Sequence, residues 1–361
     1  MNKFINIFDD EHIFRMTDDT GMFQHARFSV PNLQEGYTTD DNARALIMAV
    51  MLYEKLPKPA YLALIYRYLG FVLYAQNEKG RFRNFMLYNR QFRETEGSED
   101  CLGRCLWALG YTQASAVLPS GIKEACLGAV NQALPNVRAL TWPRSQAYAL
   151  IGLSFIKSPA MDGLICELAD SLCSRFEQYT GDDSWQWFED SITYDNAVLP
   201  WALFAAYSRL QQQRLLCVAS QSMSFLHSVT FKDGFFRSVG CNGWLIRGAE
   251  AALHDEQPLE ACTTMLAYLA AYEATGDAAM FELARKSFAW YQGDNSRGES
   301  LIDHETGGCY DGIMCYGLNQ NQGAESIVCY AIANLAMAKA ENAINSSNKY
   351  SKAACCIEGG A

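Results

Sequence analysis

The chain has no run of 18 apolar residues, and its most apolar stretch, residues 62–75, is broken by Arg67. A bilayer-crossing helix needs about 20 apolar residues, so no membrane span is expected. Positive charge is sparse: 29 Lys and Arg stand against 40 Asp and Glu, a net charge of −11, with no basic cluster. Duplex binding needs clustered cations that displace counterions, so no nucleic-acid partner is expected. The five histidines, His12, His25, His227, His254 and His304, show no metal-ligand spacing. HExxH, Walker and GxSxG motifs are missing, as is a GxGxxG with a later acidic residue; neither metal nor cofactor is expected. The 13 cysteines are odd in number and form no paired CxxC units. Most, including Cys101, Cys105, Cys126, Cys262 and Cys329, lie in apolar helical text and read as buried thiols of a reducing cytoplasm. The N-terminal MNKFINIFDDEHIF reaches Asp9 and Asp10 before an apolar signal core can form.

What is present is helical. Half the residues are hydrophobic and 12% aromatic, enough for a large core. Residues 43–53, 62–75, 147–155, 197–207, 261–272 and 327–338 are apolar nearly all round, as in helices buried on both sides. Six helices share a head of one polar or acidic residue, a small residue and an apolar run. Taking Asp41, Asp100, Gln146, Asp195, Glu260 and Glu325 as equivalent, the steps are 59, 46, 49, 65 and 65 residues. Each step has room for a second, more polar helix, such as 58–76, 120–133, 162–178, 214–229 and 277–292. The pattern predicts an all-α fold: a closed (α/α)6 barrel of six hairpins, one domain over residues 1–340. Residues 341–361 lose periodicity and read as a disordered tail.

The segments leading into the inner helices are long and rich in Gly and aromatics, as in 80–90, 184–194, 234–244 and 307–323. Long loops at one end of a rigid scaffold are where sites reside. Five of the six heads carry a carboxylate. Asp41, Asp100 and Asp195 are also good helix caps, whereas Glu260 and Glu325 are poorer ones. Like charges around one cavity repel unless something uses them. The acidic candidates are Asp40 and Asp41 beside Arg44, Glu189 in the aromatic loop, Asp195, Glu260 and Glu325. Trp185, Trp187, Tyr194 and Trp244 are candidate stacking platforms, and Asn42, Asn196, Asn319, Gln322 and Arg44 candidate hydroxyl partners. Carboxylates, amides and Trp around a cavity without a cofactor motif fit glycosidic-bond chemistry, which uses one acid and one base or nucleophile.

Residues 16–46 (MTDDTGMFQHARFSVPNLQEGYTTDDNARAL) resemble a bacterial family of helical-toroid proteins. Residues 187–203, 257–277 and 306–326 extend the likeness. Such domains occur alone or fused behind retaining-type glycosyltransferases, often encoded near mannoside phosphorylases. The resemblance implies the six-hairpin glycosidase fold, which includes α-mannanases with a paired Asp-Asp at an inner-helix head, here Asp40-Asp41. It implies a standalone, cytoplasmic, glycosidase-like protein acting on a short, mannose-containing oligosaccharide. A saccharide-binding domain serving a glycosyltransferase partner, and a sugar epimerase or isomerase, are the alternatives.

Overall fold

A computed structural model describes residues 9–181 and 184–358. A short helix α1 (Glu11–Arg15) precedes eleven longer ones. Five hairpins follow: α2 (Thr39–Lys55) with α3 (Pro59–Ala75), α4 (Glu99–Ala114) with α5 (Ser120–Val137), and α6 (Pro143–Phe155) with α7 (Pro159–Tyr179). Then come α8 (Val198–Leu210) with α9 (Gln213–Thr230), α10 (Pro258–Thr275) with α11 (Ala278–Ala289), and finally α12 (Ala324–Glu358). The even-numbered helices form the inner ring. Each packs on the next, and α12 packs on α2 to close it; the odd-numbered helices from α3 to α11 each cover their own inner partner. The (α/α)6 toroid is therefore as expected, with one difference. The sixth outer position holds only α1, packed against α12 from the other end of the chain, among the described residues. Residues 1–8 and 359–361 lie outside those described; α12 itself continues to Glu358, past the point at residue 340 where periodicity fades.

The inner helices are buried on all sides because neighbours flank them and outer helices cover them. In α6 every residue from Pro143 to Leu153 is buried. α4 and α6 approach closely enough that glycine is required: a Cβ on Gly110 would lie 2.0 Å from the Gly152 carbonyl oxygen. The outer helices bury one face only, as in α9, where Leu215, Val218, Ala219, Ser222, Met223 and Leu226 point inward.

Inner-to-outer links are short. The reverse connections carry the long loops, except for 138–142 between α5 and α6. Short antiparallel ribbons stiffen these loops: Tyr37–Thr38 with Phe85–Met86 and Ser191–Ile192 with Leu245–Ile246 pair across hairpins, and Gly312–Met314 with Gly317–Asn319 forms a local turn within one loop. All inner N-termini thus open on one rim, under the loops. No helix among the described residues is long and apolar enough to cross a membrane.

Candidate active site

Three arginines, one each from α2, α4 and α6, organise the rim. Thr38 caps α2, its Oγ1 accepting the Asp41 N–H at 3.2 Å and donating to Asp41 Oδ2 at 2.5 Å. One turn on, Arg44 donates to Asp41 Oδ1 and to Glu325 Oε2 on α12, both at 2.8 Å. Arg44 therefore ties the first inner helix to the last. Arg104, one turn into α4, lies 3.3 Å from Asp40 Oδ2 and 3.8 Å from Asp195 Oδ2. Arg144 of α6 donates to Glu189 at 2.6 Å, to the Tyr194 carbonyl at 2.5 Å and to Thr193 at 2.9 Å.

Asp195 and Asn196 precede α8 rather than begin it. Asp195 adopts the left-handed conformation (φ +49°), which Asp tolerates better than most residues. The α8 cap residue Ala197 offers no side-chain acceptor. Glu260 of α10 supplies one from the neighbouring helix: it accepts the N–H groups of Asp195 and Asn196 and the Asn196 Nδ2, the last at 3.1 Å. The Tyr148 hydroxyl of α6 donates to Asp195 Oδ2. Asp195 Oδ1 is buried without a hydrogen-bond partner among the described residues.

Asp40, Asp41, Asp195 and Glu325 face two arginines, Arg44 and Arg104, and Glu260 adds a fifth carboxylate beside Asp195. Charges of one sign cannot accumulate in a buried volume, so protons are retained. Burial, with Asp195 adding to it, lifts Glu260 from 4.5 to about 7. Burial likewise raises Asp41, against the pull of Arg44, and Asp195, against Arg104. Glu325 goes the other way. Burial would raise it, but Arg44 and Arg104 overcome that and hold it ionised.

Accessibility then separates the candidates. Glu325 is half-buried: its carboxylate sits among Arg44 and Arg104, yet 41% of the side chain is exposed. Asp40 is 16% exposed; Oδ2 is held by Asn84 and Arg104 while Oδ1 has no partner. Glu189 reaches the rim partly and is committed to Arg144. Asp41, Asp195 and Glu260 are closed off, respectively as a capped ion-pair residue, a buried acceptor and a cross-helix cap.

The amide and aromatic expectations divide in the same way. Asn42 and Asn196 are buried and spend their amides on main chain and Glu260. Gln322 is buried between Thr306 and Asp303. Arg44 is likewise committed to its two carboxylates. Trp185 and Trp187 do not face the opening. Trp185 donates to the Glu189 carbonyl and packs edge-on to Phe225, and Trp187 is fully buried against Phe188 and Phe225. Their loop folds back onto α9, and two indoles next to an apolar helix face find more burial there than over the cavity. Tyr194 is at the rim, 38% exposed, and its hydroxyl donates to Asp100. Trp244 is half-buried in a left-handed turn (φ +60°), and Asn319 lies on the ribbon before α12.

Arg104, Arg144, Tyr148 and Asn84 escaped the sequence reading. A signal for Arg104 existed: it is the only charged residue in an apolar run from Cys101 to Leu109. An arginine buried on all sides must have a carboxylate partner.

No protein-family model matches the sequence, and no curated protein matches it. Solved structures do match. A sugar epimerase from a ruminal bacterium aligns at a TM-score of 0.72 and 13% identity, over 92% of this chain and 97% of its own. Cellobiose 2-epimerase from Bacillus thermoamylovorans aligns at 0.74 and 12%, over 95% and 100%. An inactive α-1,6-mannanase variant from Salegentibacter sp., in complex with α-1,6-mannotetrose, aligns at 0.62 and 12%, over 91% and 96%. The chain is thus an (α/α)6 toroid of the six-hairpin type. At these identities the likeness extends to the fold.

Proposed function

We propose that the chain cleaves a glycosidic bond in a short oligosaccharide at the inner-helix rim, using Asp40 and Glu325. The observation that carries this reading is their shared geometry. Glu325 is partly exposed and ionised by Arg44, and Asp40 is 16% exposed with a buried Oδ1 that has no partner among the described residues, while their neighbours are consumed in holding helices together. In this reading Asp40 passes a proton to the leaving oxygen and Glu325 acts at the anomeric carbon, as nucleophile or as base to an attacking water. Two neighbouring mannanase structures are inactive variants with two consecutive aspartates replaced, bound to α-1,6-mannotetrose or α-1,6-mannotriose. The consecutive Asp40-Asp41 pair supports a mannose-containing substrate.

A second reading, epimerisation or isomerisation of a sugar, is favoured by the better superposition on the epimerases. It needs groups that move a proton at carbon. No histidine lies in the first turn of an inner helix; His254 and His304 are exposed in loops, and the exposed His25 lies within electrostatic reach of Glu325.

The test is turnover of manno- and gluco-oligosaccharides, with and without inorganic phosphate, by the parent protein and by Asp40→Asn and Glu325→Gln. Shortened products from the parent alone support cleavage. An isomer of unchanged length supports the second reading. Equal turnover by all three proteins would remove both residues from the chemistry.

A further inference from the structure

A second opening lies outside the carboxylate rim. It is a cleft of about 1070 Å³ between the segment 297–310 and the ribbon turn before α12, closed on one side by Phe28. Its size reaches the upper end of small-molecule sites, roughly 300–1,000 Å³. Three aromatic rings border it. Tyr316 stands 72% exposed on the turn between Gly312–Met314 and Gly317–Asn319. Phe28 is 64% exposed and held in a left-handed conformation (φ +53°), which a bulky residue rarely adopts. The backbone is pinned there from the opposite wall: Phe28 N–H donates to Asn321 Oδ1 at 2.9 Å, and its carbonyl accepts the Gln322 N–H at 3.0 Å. Tyr310 is the third ring. None of the three stacks on another ring, and the two tyrosine hydroxyls and the Gln320 amide make no hydrogen bond, among the described residues.

One pair of charges in the cleft is balanced, and the carboxylates of Asp303 and Glu305 have no ion pair among the described residues. Arg297 lies 3.5 Å from Glu299, and Asp303 accepts the Glu305 N–H and the Gln322 amide. What remains on offer is open ring faces, phenols and amides, with the Glu305 carboxylate beside them. That combination suits a ligand with apolar faces and polar edges. The wall of the cleft is also tied to the rim. Asp311 accepts the Gly323 N–H at 2.7 Å and the Ser326 hydroxyl at 2.6 Å, locking the cleft's wall to the first turn of α12. Asn321 is four residues from Glu325, which places their backbones within about 14 Å.

We infer that this cleft is a second saccharide subsite, holding the distal units of a neutral oligosaccharide whose reacting end lies at Glu325. The inference takes its ligand class from the proposed function; its test separates the two. Binding of α-1,6-mannotetraose, cellotetraose and mannose is measured by calorimetry on an Asp40→Asn background, with Phe28→Ala or Tyr316→Ala added. Both rings are exposed, so the fold tolerates their loss. At least one tetrasaccharide should bind, and each added substitution should weaken it roughly three- to tenfold while leaving mannose unaffected. Cleavage is scored separately on chains that retain Asp40. Tetrasaccharide binding that falls in the variants without any cleavage keeps the subsite and defeats the rim chemistry. Cleavage with tetrasaccharide affinity unchanged by both substitutions defeats the subsite and keeps the chemistry. No tetrasaccharide binding by the Asp40→Asn chain overturns the subsite as well.

Discussion

Glu260 makes the electrostatics of the rim measurable. Its carboxyl is raised from 4.5 to about 7, by burial first and by Asp195 second. Between those values the folded protein holds a proton that the unfolded chain releases. Stability must therefore fall as pH rises through this window, the reverse of an ordinary paired carboxylate. From pH 5.5 to 8 the loss is about 2 kcal/mol for this group alone. Unfolding entropy of roughly 2.1 cal/mol/K per residue converts it to about 3 °C in Tm for a chain this long. Asp41 and Asp195 are raised too and contribute to the same slope, so the comparison must be differential. Glu260→Gln cannot ionise, yet its amide oxygen can keep part of the cap on Asp195 and Asn196. Calorimetric Tm of parent and variant is measured at half-unit steps of pH. The parent should lose about 3 °C more than the variant over that range. Parallel curves would refute the claim that Glu260 stores the proton.

Arg44 joins Asp41 to Glu325, and Arg44→Met leaves two carboxylates unpaired at the ring closure. Denaturant unfolding should show a loss of about 3–5 kcal/mol. Gly110→Ala places a methyl 2.0 Å from the Gly152 carbonyl oxygen, and the same assay should show roughly 1–3 kcal/mol of destabilisation. Trp187 is core, so Trp187→Phe should lower Tm while leaving saccharide affinity by calorimetry unchanged; weakened affinity in well-folded protein would return it to the site.

The ring was legible because its helices are apolar all round, a pattern with one packing solution. The recurring heads located the rim for the same reason: each is the point where an apolar run must begin. Chemistry at the rim was less legible. Asp40, Asp41, Asp195, Glu260 and Glu325 look alike in sequence, yet Glu260 caps a neighbouring helix and Glu325 opens to solvent. That difference arises from a cross-ring partner 64 or 281 residues away, which local text cannot encode. The tryptophans misled for a related reason. An aromatic loop over a cavity and one folded onto α9 share a composition, and burial against Phe225 decides between them. Arg104 shows the opposite case, a lone charge in an apolar helix whose partners could have been sought.

Chemical rescue tests the account most directly. Glu325→Ala removes the rim carboxylate that arginine holds ionised and that is partly open to solvent, leaving space for a small anion. Turnover of α-1,6-mannotetraose by this variant is followed with increasing azide or formate. If Glu325 acts at the anomeric carbon, the variant is inactive alone and recovers with the anion, to a glycosyl azide or to free sugar. Parent-level turnover by the variant without any anion would contradict the account.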